Sequence, residues 1–225
     1  GPRPARSDEP SRERRPTVAI VGGGASGALV AAQLLRRHHP AGLRVVVIER
    51  RFEPARGIAY STTHPEHRLN VPAAEMGAWP EDQRHFVRWA AGRGITLAGR
   101  DFAPRGLYGD YLADVLAEAG RRAGPGCSLE IVRDSAVALH LAEPLAVGAA
   151  PVVVELAERG ELAADRAVLA LGNLAPATPP GADAELLASD RYEPDPWDAG
   201  LVGRAAGDRS ILLLGTGLTM VDVAL

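Results

Sequence analysis

Gly22-Gly23-Gly24-Ala25-Ser26-Gly27 and, further along, Glu49 are the residues whose types and spacing can do chemistry in this chain. Gly22 permits a tight turn, Gly24 lets the backbone come close to a pyrophosphate, and Gly27 lets a following helix pack on the preceding strand. The free N–H groups at the start of that helix, from Gly24, Ala25, Ser26 and Gly27, then aim at phosphate oxygens. A carboxylate at position 49 accepts hydrogen bonds from both hydroxyls of a ribose and repels a 2′-phosphate, which favours FAD or NAD over NADP. Arg50 and Arg51 lie beside Glu49 and weaken that exclusion.

This chemistry requires strand, turn, helix and strand in that order, and the flanking residues supply them. The apolar run Thr17-Val18-Ala19-Ile20-Val21 predicts a strand, the residues after Gly27 a helix to about His38, and Arg44 to Glu49 a second strand ending on the acid. A second copy of the opening follows near the other end. Ser210-Ile211-Leu212-Leu213-Leu214 reads as a buried strand running into Gly215-Thr216-Gly217-Leu218-Thr219-Met220. Met220 holds its third glycine position, so its helix should sit slightly farther from its strand. No following strand is present before Leu225, so the second unit reads as the start of a longer one.

Composition excludes several alternatives. The 46% hydrophobic and 24% charged residues are ordinary for a globular domain, and a net charge of −3 lacks the basic stripe of a nucleic-acid surface. There is no apolar run of about 18 residues and no apolar signal-peptide core, which predicts a cytoplasmic protein that does not span a membrane. All 25 basic residues are arginine. A phosphate-loop lysine, a lysine Schiff base and a lysine general base are therefore ruled out. Cys127 is the single cysteine, so a redox-active disulfide within the chain is ruled out too, and it reads as a small buried hydrophobe opening a strand. His38 with His39, and His64 with His67, lack the matching second pair of a metal site.

Residues 1–16 hold four prolines and five arginines without apolar periodicity and read as a flexible leader. The segment from Glu49 to about Pro80 has little helical pattern. Gly57-Ile58-Ala59-Tyr60 and Leu69-Asn70-Val71-Pro72 are too apolar for a solvated linker, so it reads as a functional loop. Helices are predicted over Glu81–Gly92, with Phe86, Val87, Trp89 and Ala90 inward, and over Tyr108–Arg122, with Tyr111, Leu112, Val115, Leu116 and Ala119 on one face. Ser128–Arg133, Ala136–Leu141 and Val152–Glu158 read as strands of a hairpin layer, with Arg159-Gly160 turning into Asp165–Leu171. A proline-rich connection spans 175–180. Arg84, His64, His67, Trp79 and Arg105 are polar or aromatic enough to touch a ligand, yet each reads first as structural.

Val18 to Gly27, Gly57-Ile58-Ala59-Tyr60-Ser61, Leu69-Asn70-Val71-Pro72-Ala73, Ala167 to Asn173 and Gly215 to Asp222 together resemble the two-dinucleotide FAD/NAD(P)-binding flavoproteins. Within them the chain resembles flavin-dependent hydroxylases and, more distantly, N-hydroxylating and Baeyer-Villiger monooxygenases. The resemblance implies an α/β architecture. A Rossmann-like FAD-binding domain over 17–208, a parallel sheet with helices plus a β-meander layer, precedes the start of a Rossmann-like NAD(P) domain over 209–225. It assigns FAD to the first unit and NAD(P)H to the second, at Gly215, Thr216, Gly217, Leu218 and Thr219. It also implies that Ala170 and Gly172 return the chain to FAD, with Leu171 departing from the usual middle residue. Ala136 and Val137 would lie near the adenine, and Asn70 and Val71 near the flavin ring. Hydride would pass from NAD(P)H to FAD, followed by oxygen activation and hydroxylation of a small molecule. A reductase or dehydrogenase without oxygen insertion, and a nucleotide sensor without turnover, are the competing readings.

Overall fold

β-Branched residues dominate the two strands that open the chain, Thr17–Val21 (β1) and Leu43–Ile48 (β2), which pair in parallel from Thr17 opposite Arg44 to Val21 opposite Ile48. Their near-continuous apolar runs arise because both faces are covered. Ile20, Val45 and Val47 point into one core and Ala19, Val21, Val46 and Ile48 into the other. A computed structural model describes residues 15–51, 53–141, 151–174, 176–198, 200–205 and 210–225. The expected leader thus lies almost wholly outside the described residues.

The first core is helical. Helix α1 (Ala25–Leu35) lays Ala28, Ala31, Ala32 and Leu35 inward, and these small side chains let the sheet and the long helix approach closely. A single turn, α2 (Gly57–Tyr60), and helix α3 (His85–Gly92) precede that long helix, α4 (Arg105–Arg121). All five residues expected on the inner face of α4 are buried. Both helices depart from their expected starts. α3 begins four residues late because Pro80 and the tight Trp79–Asp82 bridge occupy the preceding residues, and α4 begins three residues early, with Pro104 as its cap.

Phe86 and Tyr111 are the largest side chains buried among these helices. Burial pushes the Tyr111 hydroxyl up to about 12. It accepts from the Ala78 N–H at 2.8 Å and shares a hydrogen bond of 2.7 Å with His85 Nδ1. Tyr111→Phe strands the buried Ala78 donor, so unfolding in urea should show a loss of about 1–3 kcal/mol with little change in slope.

The remaining strands divide differently from expectation. Cys127–Val132 (β3) does not join a hairpin layer but extends the parallel sheet beside β2, and Cys127 is half-buried. Ala136–Leu141 (β4), Val152–Leu156 (β5) and Gly160–Ala164 (β6) form the antiparallel meander. β6 was hidden in the sequence because Gly160-Glu161 looks like turn material. Asp165 then ends the meander, its carboxylate accepting from the Thr17 N–H at 2.7 Å, and Arg166–Leu169 (β7) enters the parallel sheet beside β1. The sheet order is β3-β2-β1-β7. The meander covers its second face through Val152, Val154, Leu156 and Ala164.

Two short helices, α5 (Ala184–Leu187) and α6 (Leu201–Ala205), follow, and Leu218–Ala224 forms α7. The expected strand at 210–214 does not form. Leu212 is 83% exposed, because no neighbouring strand among the described residues pairs with its backbone. No helix among the described residues is long and apolar enough to cross a membrane.

Candidate functional site

The carboxyl ends of all four parallel strands open on one cleft of about 650 Å³, where ligands of open α/β sheets bind. Gly22 and Gly24 line it from the β1–α1 turn, Glu49, Arg50 and Arg51 from the end of β2, and Asp134, Ser135 and Ala136 from beyond β3. Ala170, Leu171, Gly172 and Asn173 line it from beyond β7. The ladder continues into this rim, with Gly22 N–H donating to Ile48, Glu49 N–H to Val132 and Ala170 N–H to Val21 carbonyls.

Each glycine of the turn answers a different demand. Gly22 has φ +100°, and a Cβ there would lie 2.2 Å from the Ala170 carbonyl oxygen. At Gly27 a Cβ would lie 1.9 Å from the Gly22 oxygen, so close packing of helix on strand requires it. Gly24 is different, since its nearest neighbour would be Gly57 Cα at an ordinary 3.5 Å. Among the described residues nothing forbids a side chain at 24. What a Cβ would fill is the cleft.

Helix α1 also has no side-chain cap. The amides of Ala25, Ser26 and Gly27 belong to a first turn that has no intrahelical acceptor, and Gly24 contributes its carbonyl to Ala28 N–H. Uncapped amides, the open face of Gly24 and the positive end of the helix dipole fit the pyrophosphate of a dinucleotide. Glu49 fits the ribose. Its Oε2 accepts from Gly23 N–H at 3.0 Å and its Oε1 from Arg51 N–H at 2.8 Å, which fixes the carboxylate at the rim.

Sequence reasoning passed over Gly23 and Ala55, and read the loop that holds Gly57 and Ile58 as functional without placing it. Gly23 is required because a Cβ would lie 2.6 Å from Glu49 Cβ. The loop after β2 folds back onto the glycine turn through the Ala55 N–H, which donates to the Gly23 carbonyl at 2.7 Å. Ala55 is fully buried at φ +76°, a conformation that costs a non-glycine residue about 1–2 kcal/mol. Gly57, at φ +57°, then reaches Gly24, and Ile58 lines the cleft. Arg50 spans the opening, its Nη1 lying 3.5 Å from Ser135 Oγ.

Asp134 holds the far rim. Burial opposes its charge, but N–H donors of Ser135, Glu158 and Arg159 surround the carboxylate and hold it below the ordinary range. An Asp between two strand patterns is a turn signal that could have marked it. A depressed folded value means that its contribution is complete above the unfolded value of 3.8 and is lost as pH falls below that toward the folded one. Thermal melts from pH 5 down to pH 3 should therefore fall more steeply for the unaltered chain than for Asp134→Asn.

Of the remaining expected residues, Val137 is 58% exposed and points away from Ala136 across the strand, outside the cleft lining. Asn70 is exposed and Val71 half-buried, and both lie outside the lining. Their segment runs along residues 99–104 instead, where Leu69 N–H donates to Ala103 and Ala73 N–H to Asp101. Trp79 stacks under Arg36 at 4.0 Å, and Arg84 precedes α3. Gly215, Thr216, Gly217, Leu218 and Thr219 are exposed and lie outside this cleft, yet their backbone repeats the first turn. Gly215 has φ +115° beside +100° for Gly22. Gly217 caps its helix at φ −79°, ψ −179°, beside −68° and −169° for Gly24.

A family model described as FAD-NAD(P)-binding matches residues 19–174. No curated protein sequence matches the chain. Among solved structures, the ornithine N-hydroxylase KtzI of Kutzneria sp. 744 is 17% identical with a TM-score of 0.47, over 79% of this chain and 40% of its own. The 2-methyl-3-hydroxypyridine-5-carboxylic acid oxygenase is 12% identical with a TM-score of 0.36, over 68% and 38%. The halogenase PltM is 14% identical with a TM-score of 0.37, over 72% and 36%. This chain therefore spans at most 40% of the length of these three structures, and such weak likenesses carry nothing about its chemistry.

Proposed function

Because the chain belongs to the FAD-NAD(P)-binding family, we propose that it is the cofactor-binding part of an NAD(P)H-dependent flavoprotein oxidoreductase, a monooxygenase that hydroxylates a small molecule. The observation that carries the two-cofactor reading is the repeated turn, Gly22–Gly24 and Gly215–Gly217, with matching backbone angles and a helix after each. We assign 17–208 to the FAD unit and 209–225 to the start of the NAD(P) unit. The boundary itself falls among residues outside those described.

In this reading the amides of Gly24, Ala25, Ser26 and Gly27 hold the FAD pyrophosphate, Glu49 the ribose hydroxyls, and Arg50 and Ala136 the adenine end. Ala170 and Gly172 form the opposite lip, where Gly172, at φ +71° with no heavy atom near its missing Cβ, keeps the path toward the flavin open. Gly215 to Thr219 receive the NAD(P)H pyrophosphate. When bound, the two cofactors supply hydride transfer and oxygen activation, and the protein orients them and limits access of water. Asn70, Val71 and Val137 lie outside the lining of this cleft and are assigned no contact in it.

Full-length protein decides the matter. Purified protein should bind FAD and turn yellow, and under anaerobic conditions NADH or NADPH should bleach it. Oxygen consumption that ends in hydroxylated product marks a monooxygenase. Hydrogen peroxide as the sole oxygen product would reduce the reading to an oxidase or reductase, and protein that ignores FAD would sink it.

A further inference from the structure

We propose that the Arg105–Asp222 ion pair is a latch that positions the second glycine turn, and the nucleotide assigned to it above, against the loop that frames the first cleft. Helix α7 has no fully buried residue: Leu218 is 61% and Val221 44% exposed, and its apolar contact comes from the half-buried Met220 and Val223. Asp222 on the same helix keeps only 11% of its side chain in contact with solvent, and Arg105, its partner, 14%. On a helix with so little apolar burial, the Asp222 carboxylate is held by its cation.

The cation is itself anchored. Arg105 is the first residue of α4, and its N–H donates to the His67 carbonyl at 2.7 Å. The His67 ring bridges the same parts a second time. As the neutral ring, it accepts from Thr62 Oγ1 at Nδ1 (2.7 Å) and donates from Nε2 to the Asp222 carbonyl (2.9 Å). Trp197 closes the junction, its ring 5.5 Å from the Arg105 guanidinium and 6.2 Å from the His67 ring. Arg105 Nε and Nη2 are buried with no hydrogen-bond partner among the described residues, so Nη2 meets Asp222 as an ion pair and not through an aligned hydrogen bond. Asp222 is thus the charge that compensates this guanidinium, and its removal leaves a cation in poor solvent.

From this junction a short series of contacts reaches the first cleft. Thr62 follows α2, and its carbonyl lies where a Cβ at Gly106 would come within 2.8 Å, so the loop rests on the start of α4. At the other end of α2, Gly57 touches Gly24. Arg56 ties the same turn to α4 through the Asp110 carboxylate. Arg105 and Asp222 lie outside the lining of the first cleft, so they are positioning residues rather than ligands of its cofactor.

The test uses full-length protein carrying Asp222→Asn, Arg105→Gln or both, with hydrogen exchange over residues 210–225, FAD affinity and the rate of flavin reduction by NAD(P)H as readouts. Each single change should raise exchange across 210–225 and slow flavin reduction, both by roughly tenfold or more, as expected for an uncompensated buried charge. The double variant should be no worse than either single one, because the two residues act as one unit. FAD affinity should stay within about twofold, a difference well below the 1.4 kcal/mol of a tenfold change. Unchanged exchange, additive effects, or loss of FAD in proportion would overturn the latch. Should Arg105→Gln fail to fold, Asp222→Asn decides alone, since it sits on an exposed helix. If the unaltered enzyme binds FAD but neither nucleotide reduces it, the assignment of the second turn falls, while hydrogen exchange still judges the latch by itself.

Discussion

Gly24→Ala is expected to leave the fold standing and to weaken FAD binding by about 100-fold, roughly 2.7 kcal/mol, while Gly27→Ala is expected to damage the fold itself. The two glycines are three residues apart in one turn, but their missing side chains face different things. A Cβ at 24 meets protein only at 3.5 Å and sits on a backbone, φ −68°, that any residue adopts, so the space it takes belongs to the cleft. One at 27 meets a carbonyl oxygen of the same turn at 1.9 Å, and relief requires moving helix α1 off β1. Overpacking against backbone of this kind costs about 3 kcal/mol or more, visible as an earlier midpoint in urea. FAD titration followed by flavin fluorescence, alongside the unfolding curves, separates the two. Unchanged FAD affinity in Gly24→Ala would remove the pyrophosphate from this turn.

Glu49→Ala should weaken FAD by about 10- to 100-fold, as the loss of a charged hydrogen-bond acceptor worth about 1.5–3 kcal/mol requires. The carboxylate has two duties. Toward the protein, it accepts from the amides of Gly23 and Arg51, which keeps the turn and the end of β2 together. Toward the cleft, which Glu49 lines, it presents the negative acceptor that ribose hydroxyls require. Glu49→Gln separates these duties, because an amide cannot accept at both ends and must turn a donor toward one backbone N–H. It should therefore lose affinity as well, despite its matching shape. FAD affinity unaltered by Glu49→Ala would take the ribose away from position 49, and with it the orientation of the whole nucleotide.

The first dinucleotide unit was legible in the sequence because everything that specifies it is local. The glycines at 22, 24 and 27, the apolar strand before them, the helical period after them and the acid at 49 all fall within one βαβ span. Helix α4 was legible for the same reason, since its inner face follows a 3.6-residue period whatever it packs against. Period-2 patterns carry less. They announce a strand without naming its neighbour, which is why β3 and β7 looked like members of the hairpin layer and prove to flank the parallel sheet.

The sequence alone therefore determined a nucleotide turn with its acid, a parallel α/β sheet to carry it, and the exclusion of lysine and disulfide chemistry. Tertiary structure decided what surrounds that turn. It brought Gly57 against Gly24, set Asp134 behind the far rim, turned Val137 away and left Asn70 on another surface. It also left the apolar residues 211–214 unpaired and buried Asp222 against Arg105. The physical reason is range. Turn geometry and amphipathic period depend on neighbours a few residues away, whereas sheet partners, rim contacts and a buried ion pair depend on residues brought together only when the chain has folded.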